Sequence, residues 1–301
     1  MALDELRDLL ERHGRPDLTT AVDGVRICRA DRVVSPGASM SGTVMAVVAQ
    51  GSKRLALGDH VYEYGPGQYL VASVDLPVTG QFVDAAPGRP ALGFAMTLEP
   101  AVIAELLLQT DPGDLPRSSG TPRAGISVSD APDELLDAVV RLLRLLDRPR
   151  DRKVLAPLVK REILWRLITG EQGDVVRQLG LADSSLSHIT RAVRWIRQNY
   201  ARRFRVEELA RLSGMSVSAF HKNFQAVTAM TPIQFQKHIR LQMARLILAN
   251  NPGDVTGVGH SVGYDSPSQF SREYRRLFGE PPSRDAARLR DDVGAAVTAL
   301  P

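Results

Sequence analysis

The last third of the chain repeats itself with a period of about fifty residues, and this repeat constrains the fold more than any other feature. A shift of 50 aligns Phe220 with Phe270 and Phe224 with Tyr274. It also aligns Ser216 with Ser266, Lys222 with Arg272, and Pro232 with Pro282. Before the turn of each copy the shift is 49, which aligns Leu209 with Val258, Ala210 with Gly259, and Gly214 with Gly263. Because apolar, glycine, serine and basic positions match together, the sequence predicts two copies of one supersecondary unit.

The second copy indicates what the unit is. Gly263 supplies backbone freedom for a turn, Ser266 is placed to cap a helix, and Pro267 suits the first helical position. Apolar side chains then follow at spacings of four and three, which places them on one helix face: Phe270, Tyr274 and Leu277. A glycine turn followed by a short helix with one apolar and one basic face is typical of the second helix of a helix-turn-helix motif.

The same pattern predicts that the whole last third is helical. Helices are expected over residues 188–200, 206–212, 217–227, 231–250, 255–262 and 267–278. The helix over 231–250 joins the two helix-turn-helix units, and at 1.5 Å per residue it is about 30 Å long. That length is close to the ~34 Å between successive major-groove faces on one side of DNA. We therefore expect one monomer to span two adjacent grooves.

The first part of the chain is patterned differently. Short runs rich in valine, tyrosine and isoleucine, separated by glycine and proline, predict strands over 25–28, 43–50, 53–57, 60–64, 69–73, 80–83 and 92–97. Many short strands at regular spacing are typical of a small barrel or sandwich. Helices are expected over 3–13, 100–109, 132–147 and 157–169. The sequence thus predicts an α+β N-terminal domain over residues 1–180 and an all-α C-terminal domain over residues 187–290.

Charge is divided unevenly between these two parts. Residues 187–301 carry 17 Lys and Arg against 9 Asp and Glu, whereas the remainder carries 21 against 25. A basic C-terminal third beside an acidic remainder favours a polyanionic partner. Cys28 is the only cysteine, which excludes an intramolecular disulfide and a cysteine-based zinc site. The N-terminus does not resemble a secretory signal and no apolar run approaches the ~20 residues of a membrane span, so we expect a cytoplasmic protein.

The motifs of the last third closely resemble the AraC/XylS family of bacterial transcription regulators. The resemblance covers about residues 186–290, and it rests on Val206-Glu207-Glu208-Leu209-Ala210, on residues 263–272, and on Arg240-Leu241 with Ala244 and Leu246. One departure is Gly259, where the family usually has alanine. Glycine destabilises a helix interior by about 0.5–1 kcal/mol relative to alanine, which predicts a slightly less stable second unit. The resemblance implies that the helices over 217–227 and 267–278 enter the major groove of DNA.

The resemblance also implies which side chains contact DNA. The positions that match the family's base-reading residues are Ser218, His221 and Lys222 in the first unit, and Pro267, Ser268, Ser271 and Arg272 in the second. Nearby basic side chains are candidates for phosphate contacts: Arg240, Arg245, Arg275 and Arg276. Arg240 has a second interpretation, in which it is paired inside the domain. Double-stranded DNA is therefore the expected partner, together with RNA polymerase if the protein is an activator.

Residues 43–108 resemble the N-terminal sensory domain of one AraC subgroup, a cupin-like barrel followed by helices. The residues that carry this resemblance are 50–53, 57–58, 64–71 and 74–78. Barrel mouths commonly bind small molecules, and six side chains are candidates for lining such a pocket: Tyr62, Tyr64, Tyr69, Phe82, Phe94 and Met96. Each is also an ordinary core residue. Many cupins bind a metal through two histidines and a glutamate, but His60 and Glu63 alone are too few ligands, so we expect no metal and no cofactor.

One predicted helix is apolar over an unusually wide stripe. Along residues 132–147, the stripe repeats at spacings of four, three and four through Leu135, Val139, Leu142 and Leu146, with further apolar residues beside it. A stripe wider than one barrel surface is expected to cover predicts a homodimer through this helix.

Taken together, these features predict a cytoplasmic, non-enzymatic regulator that binds specific DNA sequences, with a sensory barrel first and a double helix-turn-helix second. Two alternatives belong to other classes. One is a cupin-type metal enzyme with an accessory nucleic-acid domain, which the missing second histidine argues against. The other is a regulator whose N-terminal domain only dimerises, and thermal stabilisation by a metabolite would distinguish it.

Overall fold

A computed structural model describes residues 2–33, 36–116, 124–182, 184–250 and 253–292. The chain divides between Ser187 and His188 into two units. Every described strand lies in the first unit, because the alternating valine-rich runs end before residue 131, and the second unit is helical.

Nine described strands form two antiparallel sheets in the first unit. They are β1 Val25–Ala30, β2 Gly37–Met40, β3 Val44–Gln50, β4 Lys53–Leu57, β5 His60–Tyr64, β6 Gln68–Ala72, β7 Pro77–Phe82, β8 Ala91–Thr97 and β9 Ile126–Asp130. One sheet has the strand order β1-β8-β3-β6-β9, and the other has the order β2-β7-β4-β5. The sheets face each other, because a β-carbon built on Gly93 of β8 would lie 3.6 Å from the Phe82 ring in β7. The predicted α+β class with a cupin-like barrel is confirmed.

Helices pack against the outer face of the five-stranded sheet. They are α1 Ala2–His13, α2 Pro100–Leu108, α3 Asp133–Arg144, α4 Pro149–Thr169 and α5 Gly173–Gly180. In β8, Phe94 and Met96 join the hydrophobic cluster that these helices contribute to, whereas Gly93 between them faces the other sheet. Both faces of this sheet are therefore buried, one under helices and one inside the barrel.

The wide apolar stripe of α3 is part of this core. Leu135, Val139 and Leu142 are at most 1% exposed, and Leu146 packs against the same cluster. Both α1 and α4 pack against α3. The prediction that these four residues form a homodimer surface is wrong, because a helix enclosed by neighbouring helices and a sheet needs apolar side chains around most of its circumference.

Several elements differ from the sequence-based prediction. The sequence predicts no element where β2, β9 and α5 lie; β2 and β9 are short edge strands that depend on their partners β7 and β6. The fourth helix begins at Pro149 rather than at Pro157, because proline is well tolerated in the first turn of a helix. Pro157 lies inside α4, where its missing N–H leaves one helical hydrogen bond unmade.

The second unit repeats a helix-turn-helix on either side of a long helix. Its helices are α6 Ser185–Gln198, of which the part from His188 onward belongs to this unit, α7 Val206–Leu212, α8 Val217–Thr228, α9 Pro232–Asn250, α10 Val255–Ser261, α11 Pro267–Phe278 and α12 Pro282–Asp292. The pairs α7–α8 and α10–α11 form the two motifs, and α9 joins them. With 19 residues, α9 is about 28 Å long. The sequence-based prediction does not include α12. It interprets Pro282 only as the end of the preceding helical pattern, but proline is also well tolerated as the first residue of a new helix.

Candidate nucleic-acid interface and effector site

The two predicted reading helices, α8 and α11, begin in the same way. The Ser216 hydroxyl accepts a hydrogen bond from the Ala219 N–H, and the Ser266 hydroxyl accepts one from the Gln269 N–H, both at 3.3 Å. Each serine thus satisfies one of the free donors at a helix start. The repeat in the sequence is therefore also a repeat in helix capping.

Aromatic side chains fix the inner face of each reading helix. Phe220 and Phe224 of α8 are buried, and the Phe224 ring meets Phe235 of α9 edge to face, with 5.5 Å between centroids. Phe270 and Tyr274 of α11 are buried in the matching positions, with 5.6 Å between their centroids. Because packed aromatic rings hold the inner faces, the opposite faces stay directed outward.

The outward faces carry the predicted base-reading side chains. Ser218, His221, Lys222, Pro267, Ser268 and Arg272 are exposed, and Ser271 is half-buried. Gln225, which the sequence-based prediction does not include, is exposed on the same face, four residues after His221. Lysine, arginine, histidine, glutamine and serine in this arrangement supply the donors and acceptors that recognise base edges in the major groove.

The four predicted phosphate contacts fall into two groups. Arg275 and Arg276 are exposed in the last turn of α11, as a phosphate contact requires. The Arg245 side chain is only 10% exposed, and its guanidinium donates to both carboxylate oxygens of Asp285, at 2.7 and 3.1 Å. The other side of the group lies over the Phe278 ring. The prediction is therefore wrong for Arg245, whose donors are occupied inside the unit.

Asp285, at the start of α12, is fully buried and accepts hydrogen bonds from three residues. Besides Arg245, these are Arg288 at 2.6 Å and the Tyr274 hydroxyl at 2.8 Å. Burial alone would raise the pKa of Asp285, but the hydrogen bonds from Arg245, Arg288 and Tyr274 hold it below its ordinary value. The network ties α12 to α9 and to the inner face of the second reading helix.

Arg240 of α9 is also bound inside the unit. Its guanidinium donates to the carbonyls of Tyr200 and Gly263, both at 2.7 Å, and to those of Ala201 and Arg202 at 3.2 and 3.3 Å. The phosphate contact predicted for Arg240 is wrong, and the alternative, in which Arg240 is paired inside the domain, describes the structure. One side chain thereby connects the segment after α6 to the turn of the second motif.

A second polar cluster forms around Glu273 in the middle of α11. The Glu273 carboxylate accepts hydrogen bonds from Lys237 at 2.8 Å, from the Tyr264 hydroxyl at 2.9 Å and from Gln269 at 3.1 Å. Burial alone would raise the pKa of Glu273, but these three hydrogen bonds hold it below its ordinary value. Glu273 follows Arg272 directly, so the position of the predicted base-reading arginine is set by an anchored neighbour.

The six predicted pocket residues of the barrel do not share one face. Residues paired across neighbouring strands lie on the same face of a sheet. Tyr62 pairs with Leu55, and both Tyr64 and Phe82 pair with Lys53. Because Leu55 and Lys53 lie next to Gly80 inside the barrel, all three aromatic residues lie on the inner face of the four-stranded sheet. Tyr69, Phe94 and Met96 instead belong to the cluster beneath the helices. For these three residues the prediction is wrong, because strand alternation separates two faces but does not show which face is interior.

In the described ranges, no group of three or more His, Cys, Asp or Glu is arranged to hold a metal ion. None of the helices there has the length and apolar character that crossing a membrane requires.

Comparison with known proteins gives matches over both units. The family described as "AraC-type transcriptional regulator N-terminus" matches residues 21–175, and a "Helix-turn-helix domain" family matches residues 209–288. The MmsAB operon regulatory protein of Pseudomonas aeruginosa is 32% identical over 102 residues, which are 34% of this chain and 33% of that protein. The virulence regulon transcriptional activator VirF of Yersinia enterocolitica is 27% identical over 181 residues, 58% of this chain and 64% of that protein. The matches thus span less than two thirds of these relatives.

Among solved structures, the chain is similar to ToxT of Vibrio cholerae in its unsaturated fatty acid-bound form. The TM-score is 0.56 at 10% sequence identity, and the match covers 90% of this chain and 96% of that one. At this identity the similarity concerns the fold alone.

Proposed function

Because the chain belongs to the AraC family of transcriptional regulators, whose N-terminal family matches more than half of it, we propose that it binds specific DNA sequences and regulates transcription. The observation that carries this proposal is the matched pair of outward faces on α8 and α11. One exposed polar helix face is an ordinary solvated surface. Two such faces, with the same caps, the same aromatic anchors and a basic residue at the same position, favour recognition of a repeating polyanion.

In this proposal, Lys222 and Arg272 contact base edges, whereas Arg275 and Arg276 contact phosphates. The connecting helix of about 28 Å is nearly as long as the ~34 Å helical repeat of DNA. One protomer therefore places α8 and α11 in two successive major grooves. Exposed Gln225, His221 and the predicted serines complete the two reading faces.

The test compares Arg272→Ala with Arg276→Ala, two substitutions of the same type within one helix. Arg272→Ala should cost about 1–3 kcal/mol on the preferred site and relax the choice at one or two base pairs. Arg276→Ala should weaken all sequences about equally and lower the slope of log affinity against log salt by about one. Selected binding sites and gel-shift titrations at several salt concentrations measure both. If the two variants behave alike, or if footprinting shows one protected groove per protomer, the proposal fails.

The N-terminal unit is proposed to bind a small-molecule effector inside the barrel, next to Tyr62, Tyr64 and Phe82. Two observations support this: the match to the N-terminal family, and the similarity in fold to ToxT, whose structure contains a bound unsaturated fatty acid. The alternative, a unit that only dimerises, predicts no stabilisation by any small molecule. Thermal denaturation of the full chain with a metabolite panel distinguishes the two, because a ligand that binds only the native state raises the melting temperature.

The direction of regulation is proposed to be activation, in the cytoplasm and through contact with RNA polymerase. VirF, a relative, is described as a transcriptional activator. In vitro transcription from a bound promoter measures the sign directly. A decrease in the amount of transcript on addition of the protein would contradict activation, but it would not contradict the proposal that the protein binds DNA.

A further inference from the structure

Lys53 is a lysine on the inner face of the four-stranded sheet. It lies in β4, its residue is 3% exposed, and its Nζ is 5.2 Å from the centroid of the Phe82 ring. Its strand partners are Tyr64 on one side and Phe82 on the other. Among the residues that the structure describes, no carboxylate and no hydrogen-bond acceptor is paired with Nζ.

Enclosing an amine almost completely, without a carboxylate beside it, is costly to a folded protein. An ammonium that leaves water without gaining a partner loses its hydration, and a group in this position commonly loses its proton instead. Burial accordingly lowers the pKa of Lys53. The Phe82 ring offsets only part of this cost, since a cation–π contact is weaker than the hydration that the ammonium loses. A methionine would fill similar space at no such cost, so packing alone does not account for the lysine.

The side chains of Cys28 and Tyr64 near Lys53 carry no negative charge. Cys28 and Tyr64 are both buried, and burial raises the pKa of each, so the thiol and the phenol keep their protons. Cys28 faces the same interior, because a β-carbon built on Gly93 would lie 3.9 Å from Cys28 Cβ and 3.6 Å from the Phe82 ring. A carboxylate placed beside Lys53 would favour its protonated form, and the phenol and the thiol can donate hydrogen bonds to the same group.

The structure assigns Lys53, with the Tyr64 hydroxyl, as the anchor for the carboxylate of a small apolar monocarboxylic acid. This inference rests on the proposed effector role of the barrel and specifies its chemistry. One lysine balances one negative charge, which favours a monocarboxylate over a phosphate dianion. The walls next to it are apolar: Leu55 is fully buried, and Phe82 is 1% exposed. The apolar part of the acid packs against these walls while its carboxylate meets the ammonium.

The experiment uses the full chain and matched pairs of probes. Octanoate is compared with 1-octanol, and benzoate with benzyl alcohol, each at the same ionic strength. The melting temperature and the dissociation constant are measured for the wild type, Lys53→Met, Lys53→Arg and the control Lys153→Met. Lys153 is exposed on α4, so its substitution removes one positive charge from the same unit without touching the barrel.

We expect each carboxylate to bind the wild type about ten- to a hundredfold more tightly than its alcohol, the effect of one charged hydrogen bond in a dry site. Lys53→Met should lose this difference while melting no lower than the wild type without ligand, which shows that the barrel is intact. Lys53→Arg should retain part of the preference, and Lys153→Met should retain all of it.

Three results would overturn the assignment. If acids and alcohols bind the wild type equally, or if Lys53→Met keeps the preference for acids, Lys53 is not the anchor, although an effector that binds still supports the proposed function. If no probe binds, the assignment fails as well, and the wider metabolite panel then decides whether the barrel has any effector. DNA affinity, measured in parallel, reports on the reading helices independently of both.

Discussion

Replacing Asp285 by asparagine should destabilise the second unit far more than its single lost charge suggests. The carboxylate is fully buried and accepts hydrogen bonds from Arg245, Arg288 and Tyr274. Asparagine has nearly the same shape, but it carries no charge and offers one acceptor oxygen instead of two. The Arg245 guanidinium, 10% exposed, then remains buried without its counter-charge.

The expected cost follows from that uncompensated arginine. Breaking a buried ion pair by removing one partner costs about 3–5 kcal/mol. A domain of this size is stable by about 5–15 kcal/mol, and each kcal/mol lowers the melting temperature of a domain of up to about 100 residues by ~4–8 °C. Asp285→Asn should therefore lower the melting temperature of the second unit by about 12 °C or more. The matched control is Asp265→Asn, whose partner Arg203 is 84% exposed; an exposed pair contributes ~0–1 kcal/mol.

The chain provides its own spectroscopic assay. It has two tryptophans, Trp165 in the first unit and Trp195 in the second, where Trp195 meets Phe204 edge to face. In a Trp165→Phe background, fluorescence during urea denaturation reports on the second unit alone. If Asp285→Asn changes the free energy of unfolding by less than about 1 kcal/mol, or by no more than Asp265→Asn, the network does not stabilise the unit as argued.

The same residue gives a pH dependence. The pKa of Asp285 is lower in the folded protein than in the unfolded chain. The resulting stabilisation is complete above the unfolded value of about 3.9 and is lost as the pH falls below it toward the folded value. The second unit of the wild type should therefore lose stability below about pH 4, and the loss should be smaller in Asp285→Asn.

Three further predictions concern the other corrected or anchored positions. Gly263→Ala should cost about 3 kcal/mol or more, because φ is 92° and the new β-carbon would lie 2.4 Å from the Ala201 carbonyl oxygen. Gly214→Ala, at φ 65° and with His188 Cε1 at an ordinary contact distance of 4.0 Å, should cost only ~1 kcal/mol in the same denaturation assay. Arg240→Ala should destabilise the second unit by about 2–4 kcal/mol yet leave the salt slope of DNA binding unchanged in gel-shift titrations, since its donors bind carbonyls of the protein. Val139→Glu should unfold the first unit, by circular dichroism, rather than yield a folded monomer, because this side chain is 0% exposed.

The sequence predicted what depends on local pattern. The seven strands of the barrel motif, both helix-turn-helix units and the outward faces of α8 and α11 all follow from periodicity, caps and turn residues within a few positions of one another. The predictions are wrong where the environment of a side chain depends on a partner that is distant in sequence. Arg245 and Asp285 are 40 residues apart, so the buried pair leaves no local signal. Phe94 and Met96 alternate correctly, but both faces of β8 are apolar, and only the docking of the helices shows which face is outside.

The bonds of Arg240 have a practical consequence for anyone who would re-engineer this protein. Arg240 of α9 donates hydrogen bonds to the carbonyls of Tyr200 and Gly263. The second motif therefore cannot be transplanted into another protein as α10 and α11 alone. A transplanted motif that ended at those helices would leave the guanidinium behind and lose the orientation of its turn. The smallest portable piece is therefore the second motif together with α9 and the segment that follows α6.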